Sequence, residues 1–470
     1  MKKEKISKYL GLILVILSLM IFIPYAFTQV EYHVSKSLLS MEPDSNSNFG
    51  YCLSVSDDYI VLGEPRASAG KVLSAGSAYI YDSEKDILII LQAPEPQTRA
   101  NFGKSVAVKD DVVVVGEPQT SIDEIWDRGK VYLFGSDGNY LTTLQSPDTR
   151  AGGLFGHSVA FSGNLILISE PGRDVEGIHN AGIVYIFNQD GNHLATLQSP
   201  EPSYGYSEIH IGLNFGYSMA GTDEVIVVGE PYVNIGELNQ AGKAHVFDEN
   251  GNHLTTLQSP EPQTLGKFGK KVAISGDIII VGEDYAEVDG KSRAGKAHVF
   301  STDGSLIHTL QAPEPEEGAG FGISVAVNDD TIVVGENMAD VLEINEGKVY
   351  VFSHNGTLLA TIQSPKPGVA AEFGYSVALI GEKIIVGEPG CLVDGESKAG
   401  KVYIFSVGPP EAVTSEAVET PTVSESETET DDSSGGIPGF PLNTITLGLL
   451  VTVYLIHYYS RKNIPIPAPR

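Results

Sequence analysis

The pair Phe-Gly recurs at Phe49, Phe102, Phe155, Phe215, Phe268, Phe321 and Phe373, at intervals of 53, 53, 60, 53, 53 and 52 residues. A period this regular means that one supersecondary unit is repeated, each copy burying its apolar face against its neighbours. The feature therefore restricts the chain to a solenoid, a ring or a linear array before any residue is assigned a role.

Each period carries four strand signals. In the second copy these are SVAV (105–108), VVVVG (112–116), KVYLF (130–134) and YLTTLQ (140–145). Asp110-Asp111 marks a tight turn between the first two, and Asp137-Gly138 a hairpin turn between the last two. Asp-Gly readily takes the positive φ that such hairpins require. The second strands are continuously apolar (VVVVG, LILIS, VIVVG, DIIIVG), which requires cover on both faces. Four short antiparallel strands per repeat, sandwiched between neighbours, describe the blade of a β-propeller. The ends of the repeat array separate a ring from a solenoid. The seventh copy stops after its third strand, KVYIF (401–405), whereas HVSKSLLSMEP (33–43) has the pattern of a fourth strand and precedes the first Phe-Gly. The fold class expected is all-β: a seven-bladed β-propeller over 29–408, its last blade completed by the N-terminal strand.

The Phe-Gly pairs and the Gly-x-Pro after the second strand, as in Gly116-Glu117-Pro118, resemble the FG-GAP repeats of integrin α-subunit propellers. The resemblance covers about 45–408 and implies a propeller that mediates protein contacts at a cell surface. One departure is informative. That family often carries an Asp-x-Asp-x-Asp-Gly calcium loop between first and second strands. Here those turns are only SDD, KDD, SGN, TDE, SGD, NDD and GE, with too few oxygens for Ca²⁺. No cofactor or metal site is carried over.

Chain direction places the short turns, first-to-second and third-to-fourth, on one rim of the ring. The long loops, second-to-third and fourth-to-next-blade, share the other, and loops on a rigid scaffold are where binding residues concentrate. Trp126, the single tryptophan, lies in such a loop, as do Tyr204, Tyr206, Tyr232 and Tyr285. Each side chain either anchors a partner or folds back on its own blade. Glu64, Glu117, Glu170, Glu230, Glu283, Glu336 and Glu388 end the second strands and form a ring of seven carboxylates. They serve either a cation or basic partner, or a repeated structural contact. Lys130, Lys243, Lys296, Lys348 and Lys401 open the neighbouring third strands, and Arg66 and Arg173 follow the glutamate in the two remaining blades. That coincidence favours a cross-strand pair. Cys52 and Cys391 lie in adjacent blades of a closed ring, as a disulfide or as two thiols. Asn355, in the sequon Asn355-Gly356-Thr357, is a glycosylation candidate on the short-turn rim.

The flanks point to a membrane. Residues 1–28 read as a signal peptide, with Lys2, Lys3 and Lys5 before an apolar run, although an uncleaved anchor has the same features. Residues 409–436 hold eight acidic side chains and no basic one, as in a solvated Thr/Ser/Glu/Pro stalk. Residues 437–460 are long and apolar enough for a transmembrane helix. Arg461 and Lys462 then place the tail 461–470 inside. Pro438-Gly439-Phe440 followed by that helix and a basic end also resembles the C-terminal sorting segments of archaeal surface proteins, in which the tail is replaced by a lipid anchor. A net charge of −30 opposes a nucleic-acid partner.

No HExxH, GxSxG or Walker motif is present, and His245 and His298 stand where other blades have tyrosine, as packing substitutes. The expected function is a non-enzymatic, membrane-anchored surface propeller that presents loops to an extracellular protein or glycan. A passive envelope component and a propeller-based hydrolase or lyase are the alternatives.

Overall fold

The computed structural model describes residues 30–148, 150–202, 215–342 and 344–408. The expected signal, stalk, spanning helix and tail lie outside them, as do Tyr204 and Tyr206. Among the described residues every regular element is a β-strand, and no helix is long and apolar enough to cross a membrane.

The strands form seven four-stranded antiparallel sheets. Blade 2 is built from Ser105–Lys109, Val112–Glu117, Lys130–Gly135 and Tyr140–Leu144, paired in that order. Blades 1 and 3 to 6 repeat the scheme. In blade 7 the outermost strand is Tyr32–Leu38, antiparallel to Lys401–Val407 with Tyr32 opposite Val407 and Leu38 opposite Val402. The ring is closed by the two ends of the propeller segment. The first strands of neighbouring blades lie side by side around the whole axis, Leu53–Val55 of blade 1 touching both Ser105–Lys109 of blade 2 and Ser376–Ile380 of blade 7.

Burial follows from this arrangement. All seven second strands are covered from their second residue to their last, because each lies between two sheets. The fourth strands, at the outer edge, are mostly exposed or half-buried, as His193–Leu197 is. The apolar side chains gather into one cluster per blade–blade interface. The cluster between blades 7 and 1 holds Leu38, Ile385, Val402 and Ile404 against Phe49, Ile60, Leu62 and Tyr79. At each interface the phenylalanine of the Phe-Gly pair is fully buried. It meets an aromatic of its own blade, Phe102 lying edge-on to Phe134 at 6.0 Å. Burying such a ring is worth about 2–3 kcal/mol, with a smaller bonus for the edge-to-face geometry.

Glycine sets how closely blades approach. Gly129 ends the second-to-third loop of blade 2 at φ +78°, and a Cβ there would lie 2.1 Å from the carbonyl oxygen of Phe155 in blade 3. Gly116, in the second strand, would place a Cβ 2.2 Å from the carbonyl oxygen of Gly156. The Phe-Gly corner of each blade is therefore gripped by backbone of the preceding one.

Candidate functional site

Hydrogen bonds separate the two rims. On one, the short turns touch: Ser83 N–H donates to Asp58 O at 3.1 Å and Ser136 N–H to Asp111 O at 2.9 Å. On the other, the long loops are laced together: Ser121 N–H donates to Gln97 Oε1 (3.1 Å) and Glu287 N–H to Gln263 Oε1 (2.7 Å).

The residue after each Phe-Gly opens a first strand, nearest the axis on the long-loop side. These residues are Tyr51, Lys104, His157, Tyr217, Lys270, Ile323 and Tyr375, all half-buried. The structure brings them together. The rings of Tyr51 and Tyr375 lie 5.1 Å apart, those of His157 and Tyr217 5.1 Å, and those of Tyr217 and Tyr232 5.6 Å. Lys104 Nζ sits 4.2 Å from the Tyr51 ring centre and donates to its hydroxyl. Lys267 lies 3.6 Å from the Tyr285 ring and 5.4 Å from that of Tyr232, and Lys270 and Arg293 also stand over Tyr285, at 4.8 and 4.4 Å. The two expected tyrosines, Tyr232 and Tyr285, thus belong to one axial cluster of rings and cations. Such stacking is worth about 0.5–2 kcal/mol per pair.

A second layer lies one residue further on. Ser105, Ser218, Ser324 and Ser376 donate Oγ–H to the Phe-Gly glycine carbonyl of the next blade, at 2.6–2.9 Å. Cys52 does the same to Gly103 O at 3.3 Å. In blade 5 the position is Lys271, whose side chain is exposed although protein surrounds it on every side. Water still reaches it, but the surrounding blades displace part of its hydration. That enclosure, with Lys104 and Lys270 close by, pushes its ammonium below the ordinary lysine range. Burial, then the charges of Lys104 and Lys271, push His157 down to about 3, so its ring is neutral. Sequence reasoning missed Tyr51, Lys104, His157, Tyr217, Lys270, Lys271 and Tyr375. The available signal was the residue after each Phe-Gly, which is aromatic, histidine or lysine in six of seven copies.

The seven glutamates are not displayed on the rim. Glu64, Glu117, Glu170, Glu230, Glu283, Glu336 and Glu388 are at most 1% exposed. Glu117 and Lys130 do face each other in register, as do Glu230 and Lys243, but the expected cross-strand ion pair is not what forms. The lysines reach outward: Lys243 to Glu201 (2.9 Å), Lys296 to Glu261 (3.1 Å) and Lys348 to Glu316 (2.7 Å), all in the preceding fourth-to-first loops. Arg173 pairs with Asp148, and Arg66 turns to Asn48. A long ammonium stem can reach the wet loop, whereas the short glutamate stays under the sheet.

Six of the carboxylates accept a hydroxyl or an imidazole N–H instead, whereas neither oxygen of Glu388 has a donor among the described residues. Tyr132 donates to Glu117 Oε2 at 2.8 Å, Tyr350 to Glu336 at 2.7 Å and Tyr79 to Glu64 at 2.7 Å. His245 and His298 take the same place over Glu230 (2.7 Å) and Glu283 (2.8 Å). A serine at the end of the preceding fourth strand is a second donor, Ser146 to Glu170 at 2.8 Å and Ser259 to Glu283 at 2.9 Å. The two histidines are therefore hydrogen-bonding equivalents of tyrosine, more than packing substitutes. Burial pushes Glu64, Glu117, Glu336 and Glu388 up to about 7.

Cys52 and Cys391 are free thiols. Their blades adjoin, but Cys52 packs into the interface with blade 2. Cys391 packs with Ala371, Val393 and Ala399 in the loops of blade 7, so of the two alternatives the structure holds the pair of thiols. Trp126 is 75% exposed and does not fold back on its blade. Its carbonyl, not its ring, is tied down, accepting from Gly152 N–H at 3.0 Å. Asn355 is exposed in a third-to-fourth turn, its Oδ1 accepting from Thr357 N–H at 3.1 Å. Among the described residues no three His, Cys, Asp or Glu side chains gather as metal ligands would.

Seven blades, closure by an N-terminal strand and a loop face distinct from a turn face define the class: a closed seven-bladed β-propeller. Five of the seven copies match the model of the FG-GAP repeat, over residues 36–81, 90–134, 141–187, 259–300 and 305–352. Each matched segment starts in or beside a fourth strand and ends in the third strand of the next blade. No curated protein matches the chain in sequence.

Proposed function

We propose that this chain is a membrane-anchored cell-surface propeller that binds an extracellular protein or glycan through its long-loop face, without catalysing a reaction. One observation carries the reading. On a chain of net charge −30, five cationic side chains and five tyrosines converge where the blades meet on that face. Placing opposite charge at one mouth of an acidic molecule concentrates a ligand there. The sequence of 437–460 and the acidic stretch 409–436 support a stalked anchor, and the net charge argues against nucleic acid. No cofactor is part of the proposal.

Two measurements test it. Protease treatment of intact cells should release the propeller while leaving cytoplasmic markers uncut, and an uncleaved chain sinks the surface location. The full-length chain immobilised on beads should retain envelope protein or glycan, and Trp126→Ala or Lys104→Ala should reduce that retention. Turnover of generic glycosidic or ester substrates would replace the binding role with a catalytic one.

A further inference from the structure

Among the described residues, the five cations at the axial mouth have a single carboxylate within ion-pair distance, Asp284, which holds Lys270 at 2.5 Å. Lys104, Lys267, Lys271 and Arg293 have none. Elsewhere the molecule pairs its lysines freely, as Lys243, Lys296 and Lys348 show. Unpaired like charges held close together repel one another, and this site keeps four of them where 60 acidic side chains were available. The opposite mouth has the opposite sign. A groove of about 510 Å³ there is lined by Asp57, Asp58, Asp110, Asp111 and Asp223, with Lys109 alone against them. The rings of Tyr51, Tyr232 and Tyr285 already have the protein's own cations on a face. They are therefore not free to cage a cation from outside. His157 adds a buried Nδ1 that has no partner.

We propose that this axial mouth binds the carboxylate of a sugar acid, either free or as the single charged residue ending an otherwise neutral glycan. The inference rests on the long-loop face being the binding face. Four of the five cations are lysines, compact point charges that attract a single anionic head without fixing its plane. Tyrosine hydroxyls beside them supply donors and acceptors for sugar hydroxyls. A protein partner would need an apolar interface core. The exposed apolar side chains Trp126, Leu342, Ile344, Val369 and Leu392 lie instead on the long loops, not on the residues that follow the Phe-Gly pairs. A long polyanion would have to cross the acidic remainder of the surface, so the ligand's charge must be confined to one end.

The test is calorimetric titration of the full-length chain with D-galacturonate and with D-galactose, which differ only in the carboxylate. Galacturonate should bind at least tenfold more tightly than galactose and weaken as NaCl is raised. The double variant Lys104→Ala/Lys271→Ala should lose at least tenfold while keeping its melting temperature. A neutral galactan oligomer with one terminal galacturonate separates the sources. If it binds more tightly than the free acid the ligand is a glycan end, and if more weakly the ligand is the free acid. Equal affinity for both sugars, or a double variant that binds as the parent does, overturns the proposal. So does tighter binding of a hexaglutamate peptide, which would make the mouth a docking point for acidic protein segments. If neither sugar binds yet envelope retention persists and falls in Trp126→Ala, the sugar acid is wrong and the binding face stands. If retention is also absent, both fail.

Discussion

Glu117 is fully buried, accepts from Tyr132, and has a second oxygen, Oε1, with no donor. An ionised carboxylate in that position is costly, and burial pushes the group up to about 7. A folded-state value above the unfolded one means stability that is full below pH 4.5 and lost as pH rises through about 7. Glu64, Glu336 and Glu388 act in the same direction. The propeller should therefore melt at a higher temperature at pH 5 than at pH 8. Glu117→Gln keeps the shape and cannot ionise. It should match the parent at pH 5 and exceed it at pH 8, by roughly 1–3 kcal/mol. Calorimetric melts at both pH values decide it, and a variant less stable than the parent at pH 8 would show that the ionised carboxylate is needed. Sequence reasoning placed the seven glutamates and their lysine neighbours correctly in register. It could not see that Tyr132, two residues past Lys130 and on the same face, is nearer the carboxylate than the lysine's own ammonium. The cysteines stayed open between bridge and thiols for a related reason: adjacency of blades follows from closure, but the side of the blade a thiol faces does not. Burial pushes both thiols up to about 12. Both should react with a thiol reagent only after unfolding, and reductant should leave intact mass and melting temperature unchanged.

At the scale of elements, the strands were legible because burial on two faces writes continuous apolar runs and hairpins write Asp-Gly. The expected VVVVG (112–116) is the strand Val112–Glu117, and KVYLF (130–134) is Lys130–Gly135. The bulge in the outer pair was not legible. In blade 2 Leu133 pairs with Thr142 and Phe134 with Tyr140, leaving Leu141 unpaired and 54% exposed. Leu194 and Leu254 repeat this in blades 3 and 4. A leucine on a strand reads as core, and only the register shows it facing solvent. The loop glycines give a sharper test. Gly129 and Gly290 both have positive φ, but only Gly129 faces backbone of the next blade; nothing lies within 4 Å of a Cβ at Gly290. Gly290→Ala should cost about 1–2 kcal/mol. Gly129→Ala adds the clash with Phe155 and should cost about 2–5 kcal/mol. Denaturant titration of the pair separates conformational strain from blade contact, and equal losses would mean that the Phe-Gly corner tolerates a wider gap.

At the scale of the whole molecule, the sequence repeat and the blade are out of step by one strand. Each matched segment runs from one blade's outer strand into the next blade's third. An array cut this way leaves one spare strand at its start and one vacancy at its end, which is how Tyr32–Leu38 comes to pair with Lys401–Val407. Closure gives Lys401–Val407 the outer strand that the third strand of every other blade has, and it packs Leu38 and Val402 against Phe49 of blade 1. Deleting residues 30–43 should therefore do more than remove one strand. It uncovers the apolar contacts at the blade 7–blade 1 seam, bares Lys401–Val407 as an edge, and removes Ser40, a donor to Glu64. The expected result is a less cooperative melt at lower temperature, with association that grows with protein concentration. A permuted chain isolates closure from mere loss of residues. It would begin at Phe49 and carry residues 30–48 after Gly408 through an Asp-Gly hairpin turn like that at 137–138. All three pairings of blade 7 are then made between strands consecutive in the chain, and the cut falls between Asn48 and Phe49 on the loop rim. This permutant should melt cooperatively, within a few degrees of the parent by the per-kilocalorie scaling of melting temperature, while the deletion does not. If deletion and parent melt alike, the N-terminal strand is an accessory and the ring is held by the other six seams.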